Sequence, residues 1–330
     1  MNESGDKATC MYGPTPIVSV IVPSYNKPEY LPECLGIDSE ADLHTDWECI
    51  VVSDGSPRVE EIRAAVASMN DPRFRLVEHR ENRGLAAARN TGIREARADK
   101  VICVDEDDWI VAECLQTLLT YMQGTSAPIV CPQGRFFGGR DGRRKCSQPT
   151  VAQILVSQPL LPAGSLIRKS VFGDVGLYDE HPIIKMGRED HEWWIRVVAG
   201  RVPVLVVEEE LYHVRRPVSR DEWSQSLDFS ASRYDYEIYQ YIVTKHRSLY
   251  DAYAEARRTV LAISVESRAN WFAAKGRYVS SAIDRWRALF LNPGVKRAKK
   301  ALKATLMAPL SLCGMLDFGR KHSRRVRGSC

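Results

Sequence analysis

Three short runs of mostly apolar residues constrain this chain more than any other feature: Ile17–Val22, Cys49–Ser53 and Lys100–Val104. A strand with one wet face alternates between apolar and polar, whereas one covered on both faces does not. These runs therefore read as central strands of a parallel sheet. Phe74–Glu78 is a further strand candidate. Helix-like stretches fall between them: Glu60–Met69 and Gly84–Arg97, the latter Ala-rich with its charges on one side. Strand and helix alternate at βαβ spacing, which predicts an open, mostly parallel α/β sheet.

Beyond about residue 125 the pattern loosens. Gly138–Arg144 reads as a flexible basic loop, and Leu161–Arg168 as a strand kinked at Ala163-Gly164. Glu189–Val198 reads as a helix and Val202–Val207 as a β-rich segment. From about Leu227 to Leu291 the sequence is almost wholly helix-permissive, with breaks near Ser248 and Lys275-Gly276. That predicts roughly three helices in a C-terminal α-helical unit.

In an open α/β sheet, ligands bind at the carboxyl ends of the strands. The three main strands end in Pro23-Ser24-Tyr25-Asn26, Ser53-Asp54-Gly55-Ser56 and Asp105-Glu106-Asp107-Asp108. If the strands are parallel neighbours, the three tips meet at one crevice. Four successive carboxylates after a buried strand repel one another, and burial raises their pKa values. A hard divalent cation, Mg²⁺ or Mn²⁺, resolves that repulsion through oxygen ligands. The alternative is a solvated acidic turn capping the next helix. With a second acidic tip at Asp54, the metal reading is preferred.

Several chemistries are excluded. No G-x-G-x-x-G follows the first strand and no G-x-x-x-x-G-K-[ST] occurs, which removes the dinucleotide and P-loop fingerprints. No G-x-S-x-G elbow occurs either. The nine cysteines include no C-x-x-C pair, which argues against zinc ribbons and redox motifs. The start, MNESGDKATC, does not read as a signal peptide, and no stretch approaches ~18 apolar residues. A cytoplasmic location is the expectation. The net charge of +4 conceals an asymmetry: residues 295–330 carry ten Lys/Arg against one acid, leaving the rest at about −5. A mildly acidic body predicts no nucleic-acid partner.

The segments VSVIVPSYNKPEYLPECL, WECIVVSDGS and NRGLAAARNTGIREARADKVICVDEDDW, followed by LPAGSLIRKSVFGDVGLYDE and GREDHEWWIRVVAG, resemble in order the family 2 glycosyltransferases with the GT-A fold. The likeness covers roughly residues 17–215. It implies a nucleotide-diphosphate sugar donor (UDP by default), a hydroxyl acceptor on a glycan or lipid-linked sugar, and Mn²⁺ or Mg²⁺. By the same resemblance, Pro23, Tyr25 and Asn26 line the nucleotide pocket, Asp54 bonds the base, and Asn82, Arg83 and Gly84 close over base and ribose. Asp105 holds the ribose, Asp107 the metal, and Glu106 counts with the donor residues. Asp190 is the general base, with Gly164 and Glu189 on the acceptor side. Of Trp193 and Trp194, about 100° apart on a helix, at most one can stack on an acceptor sugar, and core packing is the alternative. Where the family often places a metal-ligating histidine, this chain reads LYHVRRPVSR. His213 is the candidate ligand there, with Arg215 or Arg216 as alternative contacts to the diphosphate.

One positioned carboxylate opposite a metal-neutralised leaving group implies single displacement with inversion. The Q-x-x-R-W pattern of processive synthases is absent. Two other readings compete: a non-catalytic nucleotide-sugar scaffold, and a sugar nucleotidylyltransferase, for which the first strand tip lacks the glycines. The expected organisation is a tail 1–14, a GT-A domain 15–220, a helical appendage 221–294 and a basic, apolar tail 295–330. Residues 296–327, basic clusters flanking an apolar stretch interrupted by Pro309 and Gly314, suit an anionic membrane surface. Folding back on the helical unit and self-association are the alternatives.

Overall fold

The computed structural model describes residues 15–36, 46–160, 163–218 and 232–312. The expected tail 1–14, the boundary at 220/221, Leu161 and residues 313–330 lie outside the described residues. The three apolar runs form β1 (Val18–Ser24), β2 (Trp47–Asp54) and β4 (Lys100–Cys103), with β3 at Phe74–His79. All seven residues of β1 and all eight of β2 are buried, as unbroken apolar runs require. β1 pairs in parallel with β2 on one side and β4 on the other, while β3 extends β2 in parallel. The tips of β1, β2 and β4 are therefore neighbours, as the sequence predicts.

The remaining strands are β5 (Trp109–Ile110), β6 (Ile129–Gly138), β7 (Gly142–Arg144), β8 (Leu166–Arg168) and β9 (Val204–Arg216). The nine-stranded sheet runs β3–β2–β1–β4–β8–β6–β9–β5, with β7 paired to β6. The half that includes β1 is all parallel; the other half is mixed, since β8 runs antiparallel to both β4 and β6. The segment expected as a basic loop is instead a hairpin: Gly138 turns at φ +84° and Gly142–Arg144 returns along β6. β9 runs nine residues past the expected Val207, because it pairs with β6 as far as Gly138↔Arg216.

Among the described residues, seven α-helices accompany the sheet: α1 (Leu31–Leu35), α2 (Val59–Ser68), α3 (Leu85–Glu95), α4 (Cys114–Gln123), α5 (Val151–Ile154), α6 (Ser170–Val175) and α7 (Glu189–Ala199). Five follow: α8 (Asp235–Lys245), α9 (Arg247–Ala252), α10 (Ala254–Ala274), α11 (Tyr278–Leu291) and α12 (Val295–Leu312). The helix α12 runs through Pro309, which the sequence reading took as an interruption. Among the described residues no helix is long and apolar enough to cross a membrane.

The helical unit shares its core with the sheet. Ile238, Tyr239 and Ile242 of α8 and Tyr250 of α9 are buried in the cluster that contains β1 and β2. Polar contacts tie the same helices to α7. Glu192 is fully buried and meets Arg196 at 2.8 Å, Lys245 at 2.8 Å and His246 at 2.9 Å. Burial alone would raise its pKa; the bonds from His246, Arg196 and Lys245 outweigh that and pull it from 4.5 to about 2.

A carboxylate stabilised in this way supports the fold above its unfolded pKa, and that support is lost as pH falls from about 4.5 towards about 2. Glu192→Ala should cost about 3 kcal/mol near neutrality, since it removes the one fully buried carboxylate that Arg196, Lys245 and His246 share. Urea melts across pH check this: the gap between the native protein and the variant should hold at pH 6–7 and close below pH 4.5.

Candidate active site

The four carboxylates after β4 do not share one partner. Asp105 accepts from Arg89 Nη2 at 2.7 Å. Glu106 accepts from Ser24 Oγ at 2.6 Å and the Tyr25 backbone N–H at 3.2 Å, clamping the β1 tip to the β4 tip. Asp107 pairs with Lys27. Asp108 accepts from the Tyr212 hydroxyl at 2.8 Å and the Arg215 N–H at 2.7 Å. Burial pushes Asp108 well above the carboxylate range, with Asp105 and Asp107 adding to the effect. Burial likewise raises Glu106. The repulsion read from the sequence is thus met by a separate set of protein donors at each carboxylate, with Arg89 and Lys27 supplying positive charge at two of them.

Asp54 at the β2 tip anchors the next loop. Its Oδ1 accepts from the Arg83 N–H at 2.9 Å and meets His79 Nδ1 at 2.7 Å, while Oδ2 accepts from the Gly84 N–H at 2.7 Å. Gly84 holds φ +98°, and a Cβ there would sit 2.7 Å from Lys185 Cγ, so the loop needs glycine at this point. These tips enclose a cavity of about 320 Å³ lined by Pro23, Tyr25, Lys27, Asp54, Asn82, Gly84, Asp105, Glu106 and Asp107, with Lys185 and Met186 over it.

A second cavity, of about 450 Å³, adjoins the first and shares Leu85, Asp105, Lys185 and Met186 with it. Its other walls include Glu189 and Asp190 from the start of α7, Gln158, Arg144, and Tyr212, Val214 and Arg216 from β9. Arg89, 1% exposed, is on the wall of the second cavity. Its Nη1 donates to Glu189 Oε1 at 2.7 Å while Nη2 holds Asp105. Burial would lower the guanidinium pKa, but the two carboxylates hold it well above its usual value. Glu189 itself is raised, first by burial and then by neighbouring Asp190. Asp190 is only half-buried, and its Oδ2 accepts from Gln158 Nε2 at 3.1 Å.

The start of α7 is held from outside. Arg188, just before it, takes a left-handed φ of +72°, a strained conformation for a long side chain. Its guanidinium grips buried Asp235 of α8 at 3.1 and 3.2 Å, and Ser267 of α10 donates to the same carboxylate at 2.5 Å. His191 Nδ1 meets the Tyr239 hydroxyl at 2.9 Å. The helical unit therefore fixes where Glu189 and Asp190 point.

Of the residues expected from the sequence, Pro23, Tyr25, Asp54, Asn82, Gly84, Asp105, Glu106 and Asp107 share the first cavity, and Glu189 and Asp190 the second. Five others sit differently. Trp193 is fully buried, stacked on Phe172 at 5.1 Å with its Nε1 donating to the Gly176 carbonyl, so it is core and not an acceptor contact. Gly164, at φ +81°, allows the Tyr212 ring to approach: a Cβ would lie 2.4 Å from it. The Arg83 side chain turns to Glu180 at 3.0 Å, leaving only its backbone at the loop. Asn26 is off the cavity wall, its carbonyl accepting from Arg58. His213 stacks on Trp109 with centroids 3.8 Å apart. Because strand side chains alternate, it faces away from the cavity that Tyr212, Val214 and Arg216 line, which corrects its assignment as a ligand.

Sequence reasoning missed Lys27, Arg89, Gln158, Lys185 and Tyr212. Arg215, one alternative for the diphosphate, is committed to Glu33 and the Asp107 carbonyl, while Arg216 is on the second cavity's wall. Among the described residues, no three His, Cys, Asp or Glu side chains converge on a metal position. Asp107, partly exposed in the first cavity and paired only with the half-exposed Lys27, still fits a hard cation held by one carboxylate together with substrate phosphates.

Residues 19–189, just over half of the chain, match the family described as "Glycosyl transferase family 2". The chain is 32% identical over 146 residues to the "Putative glycosyltransferase EpsH" of Bacillus subtilis, which is 44% of this chain and 41% of that one. It is 39% identical over 116 residues to the "Uncharacterized glycosyltransferase EpsJ" of the same organism, covering 35% and 33%. The matches thus span well under two thirds of these relatives. Among solved structures, Staphylococcus aureus TarS 1–349 in complex with UDP-GlcNAc superposes with TM-score 0.55 at 16% identity, covering 90% of this chain and 92% of that one. The mannosyltransferase PcManGT of Pyrobaculum calidifontis, in complex with GDP-Man and Mn²⁺, gives 0.54 at 16%, covering 89% and 80%. At that identity these structures speak for the fold, and it is the GT-A architecture expected from the sequence. Since the family match runs from β1 to the first residue of α7 and takes in the strand tips that build the first cavity, the chain belongs to glycosyl transferase family 2.

Proposed function

We propose that this protein is an inverting, non-processive glycosyltransferase. It moves one sugar from a nucleotide-diphosphate donor in the first cavity to the hydroxyl of a glycan or lipid-linked acceptor in the second, working on the cytoplasmic side. The observation that carries this reading is the junction of the two cavities at Asp105, with Asp190 half-buried on the far wall and oriented by Gln158. Glu189, beside it, is buried and already engaged by Arg89, which leaves Asp190 the more accessible carboxylate. UDP is the default carrier, in keeping with the UDP-GlcNAc complex of TarS, although the GDP-Man complex of PcManGT shows that the fold also serves another nucleotide.

In this mechanism Asp190 accepts the proton of the acceptor hydroxyl as its oxygen attacks the anomeric carbon. The diphosphate departs from the opposite face, so one displacement inverts the centre. General-base help of this kind is worth roughly 10²–10⁴ in rate. Lys27 and Lys185, both on the donor cavity wall, supply positive charge toward the diphosphate. Asp107 would hold a Mn²⁺ or Mg²⁺, which lends Lewis-acid help to the leaving diphosphate. Arg89 holds the Asp105 carboxylate in place.

Asp190→Asn should leave donor affinity nearly unchanged and lower transfer by roughly 10²–10⁴. Release of nucleoside diphosphate from a panel of UDP- and GDP-sugars, with acceptor sugars present, measures this. Turnover near normal with intact binding would move the base elsewhere, while absence of any turnover by the native protein would favour the scaffold reading.

Asp107→Asn should abolish the Mn²⁺-dependent part of UDP binding, and Asp105→Asn should weaken binding less. Calorimetry with UDP, with Mn²⁺ and with EDTA, separates the two. Equal affinity in both metal conditions for the native protein would remove the cation from the mechanism.

A further inference from the structure

The helix α12 has a side that the fold uses and a side that it does not. Ala301 is fully buried, Trp286 of α11 donates its Nε1 to Thr305 at 2.9 Å, and Arg297 pairs with Glu266 of α10 at 2.9 Å. These contacts fix which face is docked. On another face Val295, Leu302 and Leu306 are 73%, 55% and 73% exposed. Spacings of seven and four place all three within about 40° of one line along the helix. Lys296, Lys299 and Lys303 border that line on the side away from Ala301, and none has an acidic partner among the described residues.

α11 repeats the pattern. Val279, Ile283 and Phe290 are exposed at spacings of four and seven, Phe290 to 81%. Trp286, whose ring neighbours Phe290 at 6.5 Å, carries this stripe to α12 through its bond to Thr305. Two adjacent helices thus each present an apolar stripe, and one of the stripes has a row of lysines along its edge. Scattered exposed apolar residues are ordinary, but aligned ones on neighbouring helices form a patch.

We infer that the α11–α12 face docks on a bilayer carrying anionic headgroups, the apolar stripes entering the interface and the lysines meeting the phosphates. Charge decides the occupant. Val295–Leu312 contains five Lys/Arg and no Asp or Glu. A second copy seated by two-fold symmetry on the same patch would set those cations against each other. A bilayer surface of negative lipid supplies the opposite charge together with an apolar layer. The surface is independent of the catalytic reading and lies on the described helices, where the sequence reading had looked to the wider stretch 296–327.

Flotation of the full chain with vesicles tests it, using phosphatidylcholine alone and phosphatidylcholine with 30% phosphatidylglycerol. The native chain should float with the mixed vesicles only, and less in 0.5 M salt. Lys296→Gln/Lys299→Gln/Lys303→Gln should lower the partition roughly 10²-fold, and Leu302→Ser/Leu306→Ser should lower it while leaving the melting temperature unchanged, since these side chains are exposed. Unchanged flotation of both variants would place binding elsewhere, as in residues 313–330, and overturn the proposal. Equal flotation with both vesicle types, no flotation, or a dimer that the same substitutions dissolve would overturn it too.

Discussion

Arg89 ties the two cavities together through its carboxylate partners. It is buried from water, its Nε has no partner, and each of its terminal nitrogens is spent on a different carboxylate. A guanidinium has the geometry for this, with donors splayed in one plane at fixed angles. Asp105 belongs to the strand tips that build the donor side, and Glu189 opens the helix that builds the acceptor side. Without a cation between them, the buried Glu189 and the partly exposed Asp105 would face each other across the junction, a costly arrangement. The ion triad therefore sets the distance between the β4 tip and α7, and with it the depth of the wall that the two cavities share.

The same economy of partners runs through the acidic tip. Glu106 ties to β1, Asp108 to β9, and Asp107 to the flexible amine of Lys27. Three of the four carboxylates are thereby structural, stitching neighbouring strands together. Asp107 differs in that its partner is a half-exposed lysine at the cavity edge, free to yield to another cation.

The parallel half of the sheet was legible because burial on both faces writes itself as continuous Val and Ile runs, and the crevice because each run ends in polar, turn-prone residues. β9 was legible only at its start: beyond Val207 it carries Glu208, Glu209 and Glu210 in a row, so it lacks the continuous apolar signature. The phase of His213 could not be read without knowing that it pairs with Trp109 across β5. Arg89 looked like one charge on an Ala-rich helix, because its partners lie 16 and 100 residues away. Trp193 illustrates the opposite error. Its place beside the acidic pair suggested a sugar-stacking role, yet a turn onto Phe172 and Tyr178 puts it wholly in the core.

The brace on α7 bears on how the molecule comes into being. The strand pairings of the donor half fall within residues 18–103, although Lys185 and Met186 of its wall come later in the chain. α7 has no such independence: Arg188 waits for Asp235 and Ser267, and Glu192 waits for Lys245 and His246. Chains emerge from the ribosome N-terminus first. A nascent chain that has reached α7 can thus hold the paired strands of the nucleotide crevice while the helix bearing Asp190 is still unanchored, and the acceptor side sets only after some eighty further residues have been made.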